Sequence, residues 1–275
     1  MANYTAADIK ALREKTAAGM MDVKKALDEA DGDMAKAEEI LRVKGLKGVT
    51  KREGRTASNG LVTAQASDGE GTLVEVLCET DFVAKGERFG ALAQQVLTQA
   101  VATKAADAEA LLGSTLDDGK TVKDLLDEAN ATIGEKIEVR RVARVEGASV
   151  ASYLHRTSPD LPPQVGVLLA VDGEADVTRD VAMHIAAMQP KYVNRDAVPA
   201  DLVETERRIA HETAVNEGKP EAALPKIVEG RVQGFFKENV LVEQPYAKDS
   251  KKTVGKVLSE AGVTPVAFAR FRVGA

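Results

Sequence analysis

Apolar positions recur at helical spacing through the first 45 residues. Ile9, Leu12 and Thr16 form one stripe, opened by Thr5 ahead of Ala6-Ala7-Asp8. That start places a capping hydroxyl and an acid in the first turn. Gly19 interrupts, and Met20, Val23, Ala26, Leu27 and Ala30 make a second stripe. Asp31-Gly32-Asp33 punctuates again, with Asp33 as the next cap. Met34, Ala37, Ile40, Leu41 and Lys44 form a third stripe, which Gly45 is expected to end. The pattern predicts three short helices whose shared core would be marginal on its own. A basic connector follows, with Arg42, Lys44, Lys47, Lys51, Arg52 and Arg55 against the single acid Glu53. It reads as a solvated, flexible linker.

The period shortens near Gly60. Leu61 to Ala66 predicts a strand, Gly69-Glu70-Gly71 a turn, and Thr72 to Glu79 a second strand. In that strand Val74, Val76 and Cys78 share one face, and Leu73 and Leu77 the other. Asp81 to about Ala102 reads as one long helix with Phe82, Phe89, Leu92, Val96 and Ala100 along one side. Further helix is expected at 105–112 and 122–133, and a strand at 136–146. A similar order then recurs: strands at 149–154 and 165–171, and a helix at 178–188 stopped by Pro190. Residues 200–238 interrupt this second lobe as two helical arms broken at Asn216-Glu217-Gly218-Lys219-Pro220. The arms are expected to pack on each other, through Ile209 and Val228 among others, rather than on the lobes. A strand near 239–245, a short helix near 253–261 and a strand at 265–273 close the chain. The expected fold class is therefore α+β: a three-helix N-terminal domain with its linker (1–54), then a two-lobed core of 55–146 and 147–275. An antiparallel helical hairpin (200–238) and a C-terminal module (248–275) belong to the second lobe.

Composition narrows the function classes. The 275 residues carry 37 basic and 43 acidic side chains, a net charge of −6. That balance argues against a broad nucleic-acid footprint, and the basic linker lacks interleaved aromatics for base stacking. No apolar run approaches the roughly 20 residues of a membrane span. Met1-Ala2-Asn3-Tyr4 opens no secretory pattern, so a cytoplasmic, reducing setting is expected. One cysteine, Cys78, excludes an internal disulfide, and the three histidines are far apart in sequence. No metal or cofactor is expected. Gly113 to Thr121 imitates a phosphate loop, but five residues separate its glycines instead of four, and Asp117 and Asp118 would repel phosphate. Direct nucleotide binding is therefore not expected. Cys78, in mid-strand, reads as a small buried hydrophobe. His184, among Ala182, Met183, Ile185 and Ala186, reads as a helix-packed imidazole, whereas His155 precedes a Pro-rich loop and could face a partner.

One stretch remains: Cys78-Glu79-Thr80-Asp81-Phe82-Val83-Ala84-Lys85. A strand runs into a helix with almost no loop, and Thr80 or Asp81 is the natural N-cap. Phe82 then falls in the first helical turn, where it either protrudes or staples the helix to the core.

Thr80-Asp81-Phe82-Val83-Ala84-Lys85 closely resembles the signature of the bacterial elongation factor Ts family. So do Leu12 to Leu27, His184-Ile-Ala-Ala-Met-Gln-Pro-Lys-Tyr192 and Glu229-Gly230-Arg231, and the similarity runs in order along essentially the whole chain. Departures are Gly86-Glu87-Arg88 after the signature and the Pro159 to Pro163 loop, longer than usual. The resemblance implies an N-terminal domain of ubiquitin-associated type. It implies no enzyme activity, and a single partner, elongation factor Tu, from which the protein promotes GDP release so that GTP can rebind. Phe82 would be the wedge that disturbs the partner's Mg²⁺ and phosphate site, with Asp81, Thr80 and Val83 shaping its turn. Met20, Met21, Lys24, His155 and His184 would be further contacts. The alternative is an adaptor binding RNA or a ubiquitin-type protein through the N-terminal domain.

Overall fold

The computed structural model describes residues 3–16, 18–52 and 54–275, with the backbone alone over 46–51. The N-terminal block is α1 (Ala6–Thr16), α2 (Met20–Glu29) and α3 (Met34–Arg52). Thr5 caps α1, its hydroxyl accepting the Asp8 N–H while the Asp8 carboxylate accepts the Thr5 N–H at 2.7 Å. Leu12, Val23, Ala26, Leu27, Ala37 and Leu41 form the small core that the three stripes predict. Gly45 does not end α3. A Cβ there would lie 2.7 Å from the Ala131 Cβ, so the glycine is where α3 crosses closely over another helix. Over residues 42–52 the presumed flexible linker is instead the last turns of α3. Its described basic side chains are engaged within the chain: Arg42 to Glu128 at 3.0 Å, Lys44 to Glu29 at 2.5 Å, and Arg52 donating to the Asn130 carbonyl at 3.1 Å. The side chains of Lys47 and Lys51, and Glu53, lie outside the described residues.

Two three-stranded antiparallel sheets follow. The first lobe holds β1 (Asn59–Ser67), β2 (Glu70–Cys78), α4 (Asp81–Ala84), α5 (Glu87–Thr103), α6 (Ala108–Gly113), α7 (Val122–Ile133) and β3 (Glu138–Glu146), with sheet order β1-β2-β3. The turn between β1 and β2 is at Asp68 and Gly69, slightly earlier than expected. The second lobe holds β4 (Ser149–His155), β5 (Val165–Val171), α8 (Val177–Met188), α9 (Ala200–Asn216), α10 (Leu224–Asn239), β6 (Pro245–Tyr246), β7 (Asp249–Thr253), α11 (Val254–Glu260) and β8 (Pro265–Arg272), with sheet order β4-β5-β8. The strand expected near 239–245 is interrupted, because Leu241–Glu243 coils into a 3-10 turn, and the paired strand is only Pro245–Tyr246. The polar strand β7 escaped the pattern, since all five of its residues are exposed.

The sheets pack against each other through Val62, Leu73 and Val145 on one side and Leu168, Ala170 and Phe271 on the other. Helices α5, α6 and α7 cover the far face of the first sheet, and α8 and α11 that of the second. The central strands β2 and β5 are thus covered on both faces. This explains why they read as nearly continuous apolar runs rather than clean alternations. Glu75, buried in β2, is the exception. It pairs with Arg141 Nε at 2.5 Å and accepts the Gly274 N–H at 3.2 Å, tying the chain's end to the first lobe.

Helices α9 and α10 lie along each other, with Arg207 to Glu229 at 3.3 Å and Arg231 to Glu217 at 2.7 Å. Ala210, Ala214, Val228 and Val232 on the two helices are buried, whereas Ile209 is exposed. The expectation that the arms leave the lobes alone needs correction at their base. Val232, Phe236 and Val240 cluster with Val198, Tyr192 and Val242, and the Arg195 guanidinium sits 4.3 Å over the Phe236 ring.

Candidate functional site

Strand β2 ends at the buried Cys78, and the chain turns within two residues into α4. Thr80 is extended (φ −119°, ψ 154°), and its hydroxyl accepts the Val83 N–H at 3.3 Å, as an N-cap should. Helix α4 lasts four residues. Gly86 returns to extended backbone (φ −72°, ψ 138°), and α5 begins afresh at Glu87. This break corrects the expectation of one helix from 81 to 102, and its consequence is large. Phe89 stays in the core at 1% exposure, while Phe82, expected on the same side, is 82% exposed. Val83 and Ala84 press onto the first-lobe core beneath. The helix therefore stands on its aliphatic side and presents its aromatic to solvent. Asp81 and Lys85 form an ion pair at 2.7 Å along the same short segment. Lys85's hydrogen bond holds the Asp81 carboxyl below its ordinary range, and both groups remain exposed.

Beneath the turn lies a residue that the sequence pattern did not single out. Glu135 follows Gly134, whose left-handed conformation (φ 84°) ends α7 and swings the chain back. One Glu135 carboxylate oxygen accepts the Glu79 N–H at 3.1 Å and the Thr80 N–H at 3.0 Å, and the other accepts the Thr80 hydroxyl at 2.6 Å. Glu79 reciprocates, its carboxylate accepting the Lys136 N–H at 2.7 Å and the Arg55 guanidinium at 3.2 Å. The Lys136 bond is the main reason the Glu79 carboxyl lies below its ordinary range. The available signal was Gly134-Glu135-Lys136, an acid placed just after a helix-ending glycine, where no helix dipole rewards it. Its partners are 55 and 56 positions away, beyond any local window.

Cys78 lies below the same turn, its thiol donating to the Thr80 carbonyl at 3.2 Å. Burial, reinforced by the Glu135 charge, pushes its pKa up to about 12, so the thiol stays neutral and unreactive. The Gly113 to Thr121 segment forms a small loop, bridged Thr115 to Thr121, in which Thr121 and Asp124 make the capping box of α7. Among the described residues no group of three or more His, Cys, Asp or Glu side chains could hold a metal ion, and no helix is long and apolar enough to cross a membrane.

The remaining candidates divide. Met20 and Met21, at the start of α2, are 56% and 64% exposed, and Lys24 is exposed on the same helix. Their block rests on α7 through Arg42 and Arg52, and α7 in turn ends at Gly134-Glu135 under the Phe82 turn. One helix thus underlies both groups of candidates. His155 is exposed at the end of β4, its Nδ1 3.0 Å from the Tyr153 hydroxyl. His184, a candidate partner contact, is 2% exposed and faces inward. Its Nε2 lies 2.8 Å from Gln244 Oε1, and its Nδ1 accepts the Ala247 N–H at 3.2 Å. No surface contact through that ring is available. Burial lowers its pKa, against a weaker opposing effect of the Gln244 bond.

Comparison with known proteins matches residues 79–275 to the model of the family described as Elongation factor TS. Relatives named Elongation factor Ts from Pseudarthrobacter chlorophenolicus, Arthrobacter sp. and Micrococcus luteus are each 63% identical, with all of this chain and all of each relative covered. A match of that extent, beginning one residue before the Thr80 cap, leaves one assignment: the chain belongs to the elongation factor Ts family.

Proposed function

We propose that this protein acts in translation as the guanine-nucleotide exchange factor of elongation factor Tu. It is not an enzyme: it changes no covalent bond and needs no cofactor. The observation that carries the reading is Phe82, a large aromatic held out in solvent on a helix whose other side is anchored in the core. An exposed aromatic on a braced support is the kind of side chain that dominates binding energy at an interface. Membership of the elongation factor Ts family supports elongation factor Tu as the partner. The N-terminal block, of ubiquitin-associated type, and the first lobe grip the partner's nucleotide domain, with Met20, Met21 and Lys24 as contacts. The second lobe and His155 reach another part of it. The helical pair α9 and α10 is an inserted hairpin remote from the wedge. We divide the chain into 1–54, 55–146 and 147–275, with the hairpin at 200–238 and a C-terminal module at 248–275.

The mechanism needs no contact with nucleotide. Bound GDP is held by the partner's phosphate loop and by Mg²⁺. A protein that prefers the empty partner must weaken GDP by the same factor by which GDP weakens it. The Thr80 to Val83 turn enters near the Mg²⁺ site, Phe82 separates side chains there, the phosphate loop shifts and GDP leaves. GTP then rebinds and displaces the factor. The test is stopped-flow release of a fluorescent GDP from elongation factor Tu with and without this protein. Concentration-dependent acceleration is expected, and release at the intrinsic rate would overturn the reading.

A further inference from the structure

The two lobes close in the same way. In each, the residue after the central strand is an acid whose carboxylate accepts a backbone N–H just ahead of the third strand. Glu79 takes the Lys136 N–H at 2.7 Å before β3, and Asp172 takes the Thr264 N–H at 2.5 Å before β8. In both, that bond is the main cause of a carboxyl pKa below the ordinary value. In the second lobe the connection is held further by the Asp172 N–H donating to the Thr264 carbonyl at 3.1 Å and the Ser149 hydroxyl donating to the Gly173 carbonyl at 2.6 Å, and among the described residues no second carboxylate takes part. The first lobe adds a second carboxylate, Glu135, which reaches back to two N–H groups and one hydroxyl of the Glu79-Thr80 connection.

The extra carboxylate stands where the lobes differ in what they carry. Phe82 is too exposed to be oriented by packing, so its aim depends on the backbone of α4. A helix of four residues has little intrinsic stability, since nucleation is the costly step. What holds its start is Thr80. The hydroxyl has one hydrogen and gives it to Glu135, which turns its lone pairs toward the Val83 N–H. Glu135 thereby sets the rotamer that caps the helix and anchors the two preceding N–H groups as well.

We propose that Glu135 is a positioning residue for exchange: it aims Phe82 by clamping the start of α4, and the first lobe does not need it to fold. This rests on the exchange reading above. The test uses the full chain with Glu135→Gln, which leaves one acceptor oxygen and turns an amide toward the donors. At saturating protein the maximal GDP-release rate from elongation factor Tu should fall about tenfold, the scale of a lost charge-assisted bond felt in the transition state. The concentration for half-maximal effect should change little. In a Phe82→Ala background the same substitution should add less than about twofold, because residues acting as one unit are not additive. The chain contains no tryptophan, so Phe82→Trp gives a single tryptophan at the turn, excited selectively at the red edge where the four tyrosines do not absorb. In the isolated protein its anisotropy should drop when Glu135 becomes Gln. Full multiplication of the two effects, an unchanged maximal rate, or an unfolded Glu135→Gln lobe would each overturn the proposal. If Phe82→Ala alone leaves release unaltered, it is the exchange reading that fails.

Discussion

The first and second lobes share one plan, two paired strands, helix, and a third strand antiparallel to the central one, yet they handle the exit of the central strand differently. After β5 the chain passes through Asp172 into α8, and the described large apolar side chains of that helix's core face are buried. After β2 it passes through Glu79 into a four-residue helix that ends early and leaves Phe82 outside. The acid clamp common to both is what a lobe needs to close. The interrupted helix, the exposed aromatic and the second carboxylate are found together in the first lobe. The scaffold occurs twice, and one exit carries these three features together.

The sharpest way to break this contrast is to truncate the two phenylalanines that lie seven residues apart. Phe89→Ala empties a core site and should cost about 3–5 kcal/mol of stability. Phe82→Ala should stay within about 0.5 kcal/mol, as exposed sites do, while lowering stimulated GDP release by at least about tenfold. Thermal melts and stopped-flow release on both variants decide it. A large stability loss for Phe82→Ala would remove the distinction between the two exits.

Next in size is the clamp itself. Glu79→Ala and Asp172→Ala should both lower the melting temperature, but only the former should also reduce the maximal release rate per folded molecule. Because the folded carboxyl pKa is lowered in each case, the stabilisation is present above the unfolded pKa and is lost as pH falls through the folded value. The wild type should therefore lose stability below about pH 4.5, and each variant should show a shallower acid limb in pH-dependent denaturation.

A smaller pH effect belongs to the second lobe. Burial depresses the His184 pKa from its ordinary 6.5, so the unfolded chain binds the proton more readily. Stability should thus be complete above about pH 6.5 and decline as pH falls from there toward the lower folded pKa. His184→Gln should flatten that part of the profile without altering exchange at pH 7.5. A change in exchange with unaltered pH dependence would return His184 to the partner surface. The smallest effect expected is chemical. With its pKa near 12 and its side chain buried, Cys78 should resist iodoacetamide in the native protein at pH 8 and react within minutes after denaturation, as read by mass spectrometry.

Much of the fold was written locally. The apolar runs of β2 and β5, the stripes of α1, α2 and α8, and the Thr121 and Thr80 caps are properties of a few adjacent residues, and each element formed where its period and cap predicted. The resemblance of Thr80 to Lys85 to the elongation factor Ts signature was likewise legible without structure. The tertiary structure decided the rest, through contacts between residues distant in sequence. Gly45 looks like a helix stop until Ala131 is seen against it, and the local reading of His184 as a packed imidazole gains its partners only when Gln244 and Ala247 close over it. Phe82 and Phe89 share a helical face only while the helix is assumed continuous across Gly86. Glu135 acquires a role only once α7 has delivered it beneath a turn 55 residues earlier. A short window encodes torsional preference and amphipathic period, whereas burial and bonds between distant residues exist only after the chain has packed.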